Sequence, residues 1–408
     1  MEDIALGYKQ TKIGLIPEEW ELLRIDELTK VETGKTPLRS NSVFWENGTI
    51  NWATTTEVND TNIISTNEKI TLEAVEKLKM KVLPINTILM AMYGQGKTRG
   101  KVALLKIEST INQAFSAIKP NKNYSTNYVF SYLNKSYMKI RNLSNGGSQD
   151  NLNLDIVKSI KIPLPPIKEQ EKIANILTTW DDSITVQTDL IKAKEELKKG
   201  LMQKLLSGEV RFSWFIDEWE EVALDKVLTE RKEYAEKGLE LEHVSLTKEG
   251  VIPKSERYER DFLVKDENKK YKITYLNDIC YNPANLKFGV ICKNTLGSGI
   301  FSPIYVTFEV VENYDVNYLD YLLTTKDFIT RVRKYEQGTV YERMAVSPKD
   351  FLSYKLKLPS LQEQQKIAEI LINADKEIEL LKDELEELKE QKKGLMQKLL
   401  TGEVRVIV

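Results

Sequence analysis

Lys199-Gly-Leu-Met-Gln-Lys-Leu-Leu-Ser-Gly-Glu-Val-Arg211 recurs as Lys393-Gly-Leu-Met-Gln-Lys-Leu-Leu-Thr-Gly-Glu-Val-Arg405, differing only at Ser207 and Thr401. Self-similarity at a fixed offset marks a structural unit used more than once. The same offset of 194 residues aligns Pro165-Pro-Ile-Lys-Glu-Gln-Glu-Lys-Ile-Ala174 with Pro359-Ser-Leu-Gln-Glu-Gln-Gln-Lys-Ile-Ala368, so both segments have the same length. A weaker match sets Ile16-Pro-Glu-Glu-Trp20 beside Phe215-Ile-Asp-Glu-Trp219. The 408-residue chain therefore reads as one unit duplicated, a variable domain followed by a long helix.

Each helix carries its own punctuation. Pro165-Pro166 and Pro359 stop the preceding chain, Ser360 with Glu363 has capping-box spacing, and Gly208 and Gly402 stand where a left-handed cap closes a helix. In the second copy Ile367, Leu371, Ala374, Ile378, Leu381, Leu385, Leu388, Lys392, Leu395 and Leu399 alternate steps of four and three, a coiled-coil seam. The first copy is rougher: Ile173, Leu177, Trp180, Ile184, Gln187, Ile191, Lys194, Lys198, Leu201 and Leu205. A helix of about 40 residues is roughly 60 Å long and cannot bury its own seam. The economical arrangement is an antiparallel coiled coil of the two copies; the alternative is that each helix lies on its own domain.

The intervening domains are of α+β type, with short β-like runs at Asn86–Tyr93, Lys101–Ile107, Ala114–Ile118, Tyr271–Tyr275, Gly289–Cys292 and Ile304–Val311. Helical patterns cover Thr71–Met80, Asn127–Leu143 and Val316–Tyr335. The expected organisation is an N-terminal segment 1–19, a first domain 20–162, a helix 163–208, a second domain 209–357, a helix 358–402 and a tail 403–408. The two domains share little sequence beyond their edges, so what they bind should differ.

Net charge is −2, which on average argues against a nucleic-acid binder. The average hides a segregation: Lys69–Arg141 holds thirteen Lys or Arg against three Glu, a local +10. Such a stretch makes a phosphate-attracting field, or else a solvated lysine-rich surface. Cys280, Cys292 and the single His243 are too few for a structural zinc site, and the cysteines read as packed thiols. No apolar run approaches the roughly 20 residues of a membrane span, and Met1-Glu2-Asp3 lacks the basic start of a secretion signal, so a cytoplasmic protein is expected.

Several stretches resemble specificity subunits of type I restriction-modification systems. They are Gly7-Tyr-Lys-Gln-Thr-Lys-Ile-Gly-Leu-Ile-Pro-Glu-Glu-Trp20, the helix entry Ile160–Gln170, and Leu201-Met-Gln-Lys-Leu-Leu206. Within the first domain, Thr33–Pro37, Trp45, Gly48 and Asn51-Trp52 are similar to the early part of a family recognition domain. Gly94–Lys101, Ile111–Gln113 and Gly147–Leu152 are similar to its later DNA-facing loops. In the second domain Asn282-Pro283, Gly289, Gly299 and Ser302–Tyr305 resemble another subtype. The resemblance implies two target-recognition domains, each reading one half of a split, asymmetric sequence in double-stranded DNA, with the helices fixing the gap. Two methylation subunits, and restriction subunits beyond them, would dock around it. S-adenosylmethionine, ATP and Mg would belong to those partners and none to this chain, which would not itself be an enzyme. No Asn-Pro-Pro-Tyr type methylation motif occurs, the nearest being Asn282-Pro-Ala-Asn285.

Ala91-Met-Tyr-Gly-Gln-Gly-Lys-Thr98 also fits a relaxed phosphate-binding loop. Such a loop must lead into a helix whose N-terminus faces the phosphates, whereas Lys101–Ile107 reads as a second strand, so Gly94–Gly100 is expected at a hairpin tip. A glycine-rich tip with Gln95, Lys97, Thr98, Arg99 and Lys101 suits DNA: the backbone approaches closely, cations hold phosphates, and Gln or Arg can pair with a base edge. The same reasoning selects Lys35, Thr36, Arg39, Gln113, Gln149 and Asn151 in the first domain and Asn285, Lys287, Arg331, Arg333 and Arg343 in the second. The competing readings are a DNA-modifying enzyme acting alone, a nucleotide-hydrolysing protein using that loop, and a coiled-coil adaptor without DNA binding.

Overall fold

The computed structural model describes residues 7–59, 62–94, 97–143, 151–236, 241–257, 270–337 and 344–407. The chain forms two compact units, Met1–Asp189 with Asp383–Val408 and Leu190–Lys382. Each unit therefore contains a variable domain, the start of one long helix and the end of the other.

In the first unit, β1 (Val31–Thr33), β2 (Asn62–Ile63), β3 (Ile88–Ala91), β4 (Val102–Leu105) and β5 (Phe115–Ile118) make a sheet in the order β1-β5-β3-β4-β2. All neighbours are antiparallel except β2 and β4. Every residue of β3, β4 and β5 is buried, because the sheet is covered on both faces; that is why these runs are apolar without alternation. On one face Ile88, Met90, Val102 and Leu104 pack with Tyr128, Val129 and Leu133 of α1 (Thr126–Lys135). On the other, Leu89, Ala91, Ala103 and Phe115 pack with Ala53, Val58 and Leu83. Glu21–Arg24 pairs with Lys161–Leu164, so the entry and exit strands close the domain. These pairings were not legible as strands in the sequence.

The helical patterns are shorter than the sequence suggests. Thr71 caps a helix of only Leu72–Lys77, accepting from the Ala74 N–H. The Asn127–Leu143 pattern breaks at Ser136 into α1 and α2 (Tyr137–Arg141). The long helix α3 then runs Ile167–Leu206.

In the second unit, β6 (Leu228–Glu230), β7 (Ile279–Tyr281), β8 (Ile291–Lys293) and β9 (Val306–Val310) form an antiparallel sheet in the order β6-β9-β7-β8. Leaving aside β2 at the edge of the first sheet, the neighbours in both units follow the same order along the chain: first, fourth, second, third. Lys272–Thr274 pairs separately with Gly299–Phe301, and Glu220–Ala223 with Lys355–Leu358 closes this domain as in the first. The Val316–Tyr335 pattern breaks where the Thr325 side chain caps a new helix, leaving α4 (Val316–Leu323), α5 (Lys326–Val332) and a 3-10 turn Arg333–Tyr335. The second long helix, α6, spans Leu361–Leu399.

The two long helices pair antiparallel. In the first unit Lys392 meets Asp181 and Gln187 meets Glu384; in the second Lys198 meets Asp375, Lys194 meets Glu377 and Lys382 meets Glu195. Asp181 and Asp375 are 194 residues apart, as are Lys198 and Lys392, so the two ion pairs are copies of one contact. Of the expected seam, Ile173, Leu177, Ile367, Leu371, Ile378 and Leu385 are buried, while Trp180, Ile184, Leu381 and Leu388 are half-buried. The seam is not purely helix on helix, however. Ile173 and Leu177 pack with Leu399 and Leu400 in the core of the first domain, and Ile367 and Leu371 with Leu205 and Leu206 in that of the second. Both packing alternatives are thus partly realised.

The repeated Glu-Gln at each helix start explains itself. Gln170 accepts from the Ser125 N–H and donates to the Pro165 carbonyl, and Gln364 does the same with Asp315 and Pro359. Glu169 takes two hydrogen bonds from Arg405, and Glu363 two from Arg211. Each repeat's terminal arginine therefore closes onto the helix start of the other repeat. Gly402, at φ +78°, ends α6 against Pro17, where a Cβ would come within 2.5 Å.

Candidate nucleic-acid interface

Strand register decides which loops share an end of each sheet. In the first unit Thr33, the last residue of β1, stands opposite Ser116; Phe115, the first of β5, opposite Ala91; and Met90 opposite Val102, the first of β4. The segments 34–39, 92–101 and 112–114 consequently leave the same end. They carry Lys35, Thr36, Arg39, Lys97, Thr98, Arg99, Lys101 and Gln113. Thr36 is hydrogen-bonded to Gln113, and Thr33 Oγ1 donates to the carbonyls of Phe115 (2.8 Å) and Gln113 (3.1 Å). Gly34 is required here, since a Cβ would overlap the Ile111 carbonyl. The Leu152 N–H bonds the Met92 carbonyl at 3.0 Å, which brings Asn151 to the base of the same hairpin. Gln95 and Gln149 lie outside the described residues.

The phosphate-binding-loop alternative fails on this geometry. Beyond Gly100 the chain enters β4, antiparallel to β3, with Gly100 N–H donating to the Ala91 carbonyl at 2.8 Å. No helix N-terminus follows the loop, so its amides lack the dipole that such a site uses.

The cations at this end differ in freedom. Lys97 is exposed, while Arg99 is half-buried and its enclosed Nε has no hydrogen-bond partner among the described residues. Arg39 is held by both Glu68 oxygens and lies 3.9 Å over the Trp45 ring; the carboxylate raises its pKa and is itself lowered by the guanidinium. Its charge is already neutralised, whereas Lys97 has no ion pair among the described residues. The sequence reading missed Tyr137, whose hydroxyl donates to the Lys97 carbonyl at 2.7 Å and accepts from Arg141 at 3.1 Å. Its place on a helical pattern within the basic stretch was the available signal.

The second sheet repeats the arrangement. Glu230 ends β6 opposite Phe308, Val306 begins β9 opposite Tyr281, and Tyr281 ends β7 opposite Ile291 of β8. The hairpin 282–290 is therefore the counterpart of 92–101, and it carries Asn285 and Lys287, both exposed. Its base is fixed in the same way: Val346 N–H bonds the Pro283 carbonyl at 3.3 Å, 194 residues after Leu152. Arg331 and Arg333 lie on α5 and the turn after it, each paired with an acid, Asp327 and Glu336. Arg343 lies outside the described residues. Arg231, just after β6, reaches to the buried Asp278 at 3.0 Å, which precedes β7 and so lies away from the hairpin end, a pairing that sequence reasoning missed.

Cys280 and Cys292 face each other in the β7–β8 register as free thiols, and burial pushes Cys280 up to about 12. Among the described residues no cluster of His, Cys, Asp and Glu could hold a metal, and no helix is long and apolar enough to cross a membrane.

The type I restriction modification DNA specificity domain matches residues 17–196 and 263–390, three quarters of the chain in two copies that fall on the two units. The chain belongs to this family. The two sheet-bearing domains are its two recognition domains, and the protein is a type I restriction-modification specificity subunit. It is 27% identical over 421 residues to the type I restriction enzyme MjaVIII specificity subunit of Methanocaldococcus jannaschii, covering 96% of this chain and 94% of that one. To the EcoR124I/EcoR124II specificity subunit of Escherichia coli it is 30% identical over 202 residues, 48% of each chain. The solved type I restriction-modification S subunit from M. genitalium shares the fold at TM-score 0.56 and 18% identity, covering 93% of this chain and 96% of that one.

Proposed function

We propose that this specificity subunit is the DNA-reading component of its enzyme and performs no chemistry itself. Each recognition domain reads one half of a split, asymmetric target in double-stranded DNA, from the end of its sheet that carries the hairpin tip. The observation that supports this most directly is the shared geometry: in both sheets the loops bearing the candidate side chains leave the same end. In the first domain Lys97, Thr98, Arg99, Lys101, Thr36, Gln113 and Asn151 gather there, the combination of cations and amides that phosphates and base edges require. In the second, Asn285 and Lys287 take the equivalent place.

In the same reading the paired helices set the spacer and present the docking surface for two methylation subunits, with restriction subunits beyond. S-adenosylmethionine, ATP and Mg act on those partners in the cytoplasm. The test is to assay the purified chain for methyl transfer and ATP hydrolysis, alone and with its methylation subunit. Neither activity is expected from the lone chain. ATP turnover that disappears in Lys97→Ala would overturn the reading.

A further inference from the structure

Two turns leave the hairpin end of the second sheet, and each displays an apolar side chain. In the hairpin 282–290, Leu286–Phe288 forms one 3-10 turn closed by Gly289 at φ +82°. Leu286 anchors it in the core with Phe328 and Ile329 of α5, while Phe288 is 56% exposed. In the second turn, 302–305, the Tyr305 N–H bonds the Ser302 carbonyl at 3.1 Å and the Tyr305 ring packs 5.0 Å from that of Phe301. Tyr305 is buried, and Ile304 beside it is 58% exposed. This turn runs directly into β9, whose first residue, Val306, stands opposite Tyr281 at the foot of the hairpin. Phe288 and Ile304 therefore share one end of the sheet, each on backbone fixed by a buried neighbour.

The first domain differs at the corresponding place. Phe115 and Val306 begin equivalent strands, each opposite the last residue before its hairpin, so Ile304 stands where the first domain has Gln113. An amide, which hydrogen-bonds to a base edge, gives way to an aliphatic group that offers only apolar contact.

The apolar group that base edges present in an undeformed duplex is the thymine C5-methyl, in the major groove. A ring wedged between base steps needs both faces free and costs unstacking energy. The Lys287 ammonium, however, lies over one face of Phe288, 5.1 Å from its centroid. We propose that Phe288 and Ile304 read the second domain's half-site through contacts with thymine methyl groups. The inference rests on the proposed assignment of the sheet ends to DNA.

The probe is a duplex carrying the target found by methylation mapping, made with thymine or with uracil, which lacks the methyl, in one half-site at a time. Binding is measured for the chain assembled with its methylation subunit. Uracil in one half-site should weaken binding about fourfold per contacted methyl, the worth of one buried carbon. Phe288→Ala and Ile304→Ala should weaken binding to the thymine duplex, abolish that preference for thymine and leave the salt dependence unaltered, since no charge is lost. Phe288→Leu, still apolar, should keep part of the preference. The uracil comparison changes the DNA alone, so it holds whatever a substitution does to folding. Equal weakening of Phe288→Ala and Ile304→Ala on both duplexes overturns the methyl contact. So does a uracil effect in neither half-site, or one that both variants leave intact. Lys287→Gln separates this inference from the reading beneath it. A salt slope flattened by about 0.9, as loss of a phosphate contact requires, with no uracil effect leaves the sheet end facing DNA and removes only the apolar reading. Unchanged binding of all three variants, Lys287→Gln, Phe288→Ala and Ile304→Ala, on both duplexes removes both.

Discussion

Gly34 and Gly200 are one residue type under opposite constraints. A Cβ on Gly34 would overlap the Ile111 carbonyl, while one on Gly200, inside α3, meets nothing within 4 Å. Gly34→Ala should therefore destabilise the first domain by at least about 2 kcal/mol, since backbone must move. It should also part Thr36 from Gln113. Gly200→Ala should instead stabilise by up to about 1 kcal/mol by removing chain entropy from the unfolded state. Denaturant midpoints of both variants check this, and a Gly34→Ala protein as stable as its parent would contradict the close approach. Part of the candidate site was legible at this scale: Thr36 and Gln113, chosen on loop chemistry, are hydrogen-bonded to each other, whereas the Lys35 ammonium donates to the Leu78 carbonyl at 2.7 Å. What escaped depends on long-range pairing. Arg39 meets Glu68 only because a folded strand edge brings them together, and Tyr137 reaches Lys97 only because α1 breaks at Ser136.

At the scale of elements, duplication and helix ends were readable because the punctuation is local: proline at the start, left-handed glycine at the end. The strands that close each domain, Glu21–Arg24 with Lys161–Leu164, were not, because four-residue segments carry too little periodicity to register. The helix pair allows a sharper test. Inserting seven residues after Ile184 and seven after Ile378 leaves Asp181–Lys392 and Lys198–Asp375 in place and keeps the heptad phase. Each helix lengthens by roughly 10 Å at 1.5 Å per residue. At about 3.4 Å per base pair, the preferred gap between half-sites should grow by around three base pairs with both half-sites unchanged. Methylation mapping of the doubly extended protein with its methylation subunit reads this out. An unaltered gap, or altered half-site bases, would show that the helices do not set the distance.

At the scale of the molecule, the first unit is discontinuous in sequence and the second is one continuous segment. The first needs Asp383–Val408: Leu399 and Leu400 lie in its core, Arg405 holds Glu169, and the Tyr8 hydroxyl donates to the Gly402 carbonyl at 2.8 Å. The second unit takes everything it requires from Leu190–Lys382. A chain ending at Lys382 should thus keep a protease-resistant second unit and lose the resistance of the first. Limited proteolysis with mass analysis decides it, and equal resistance of the two would refute the interleaving. The same feature has a consequence for synthesis. After Asp189 the ribosome must add all of Leu190–Lys382 before it begins the last piece of the first unit, roughly 10 to 40 s at about 5–20 residues per second. Through that interval Ile173 and Leu177 wait without Leu399, and Glu169 without its arginine. The domain made first is finished last, so its exposure to aggregation and to quality control is set by how fast the rest of the chain is translated.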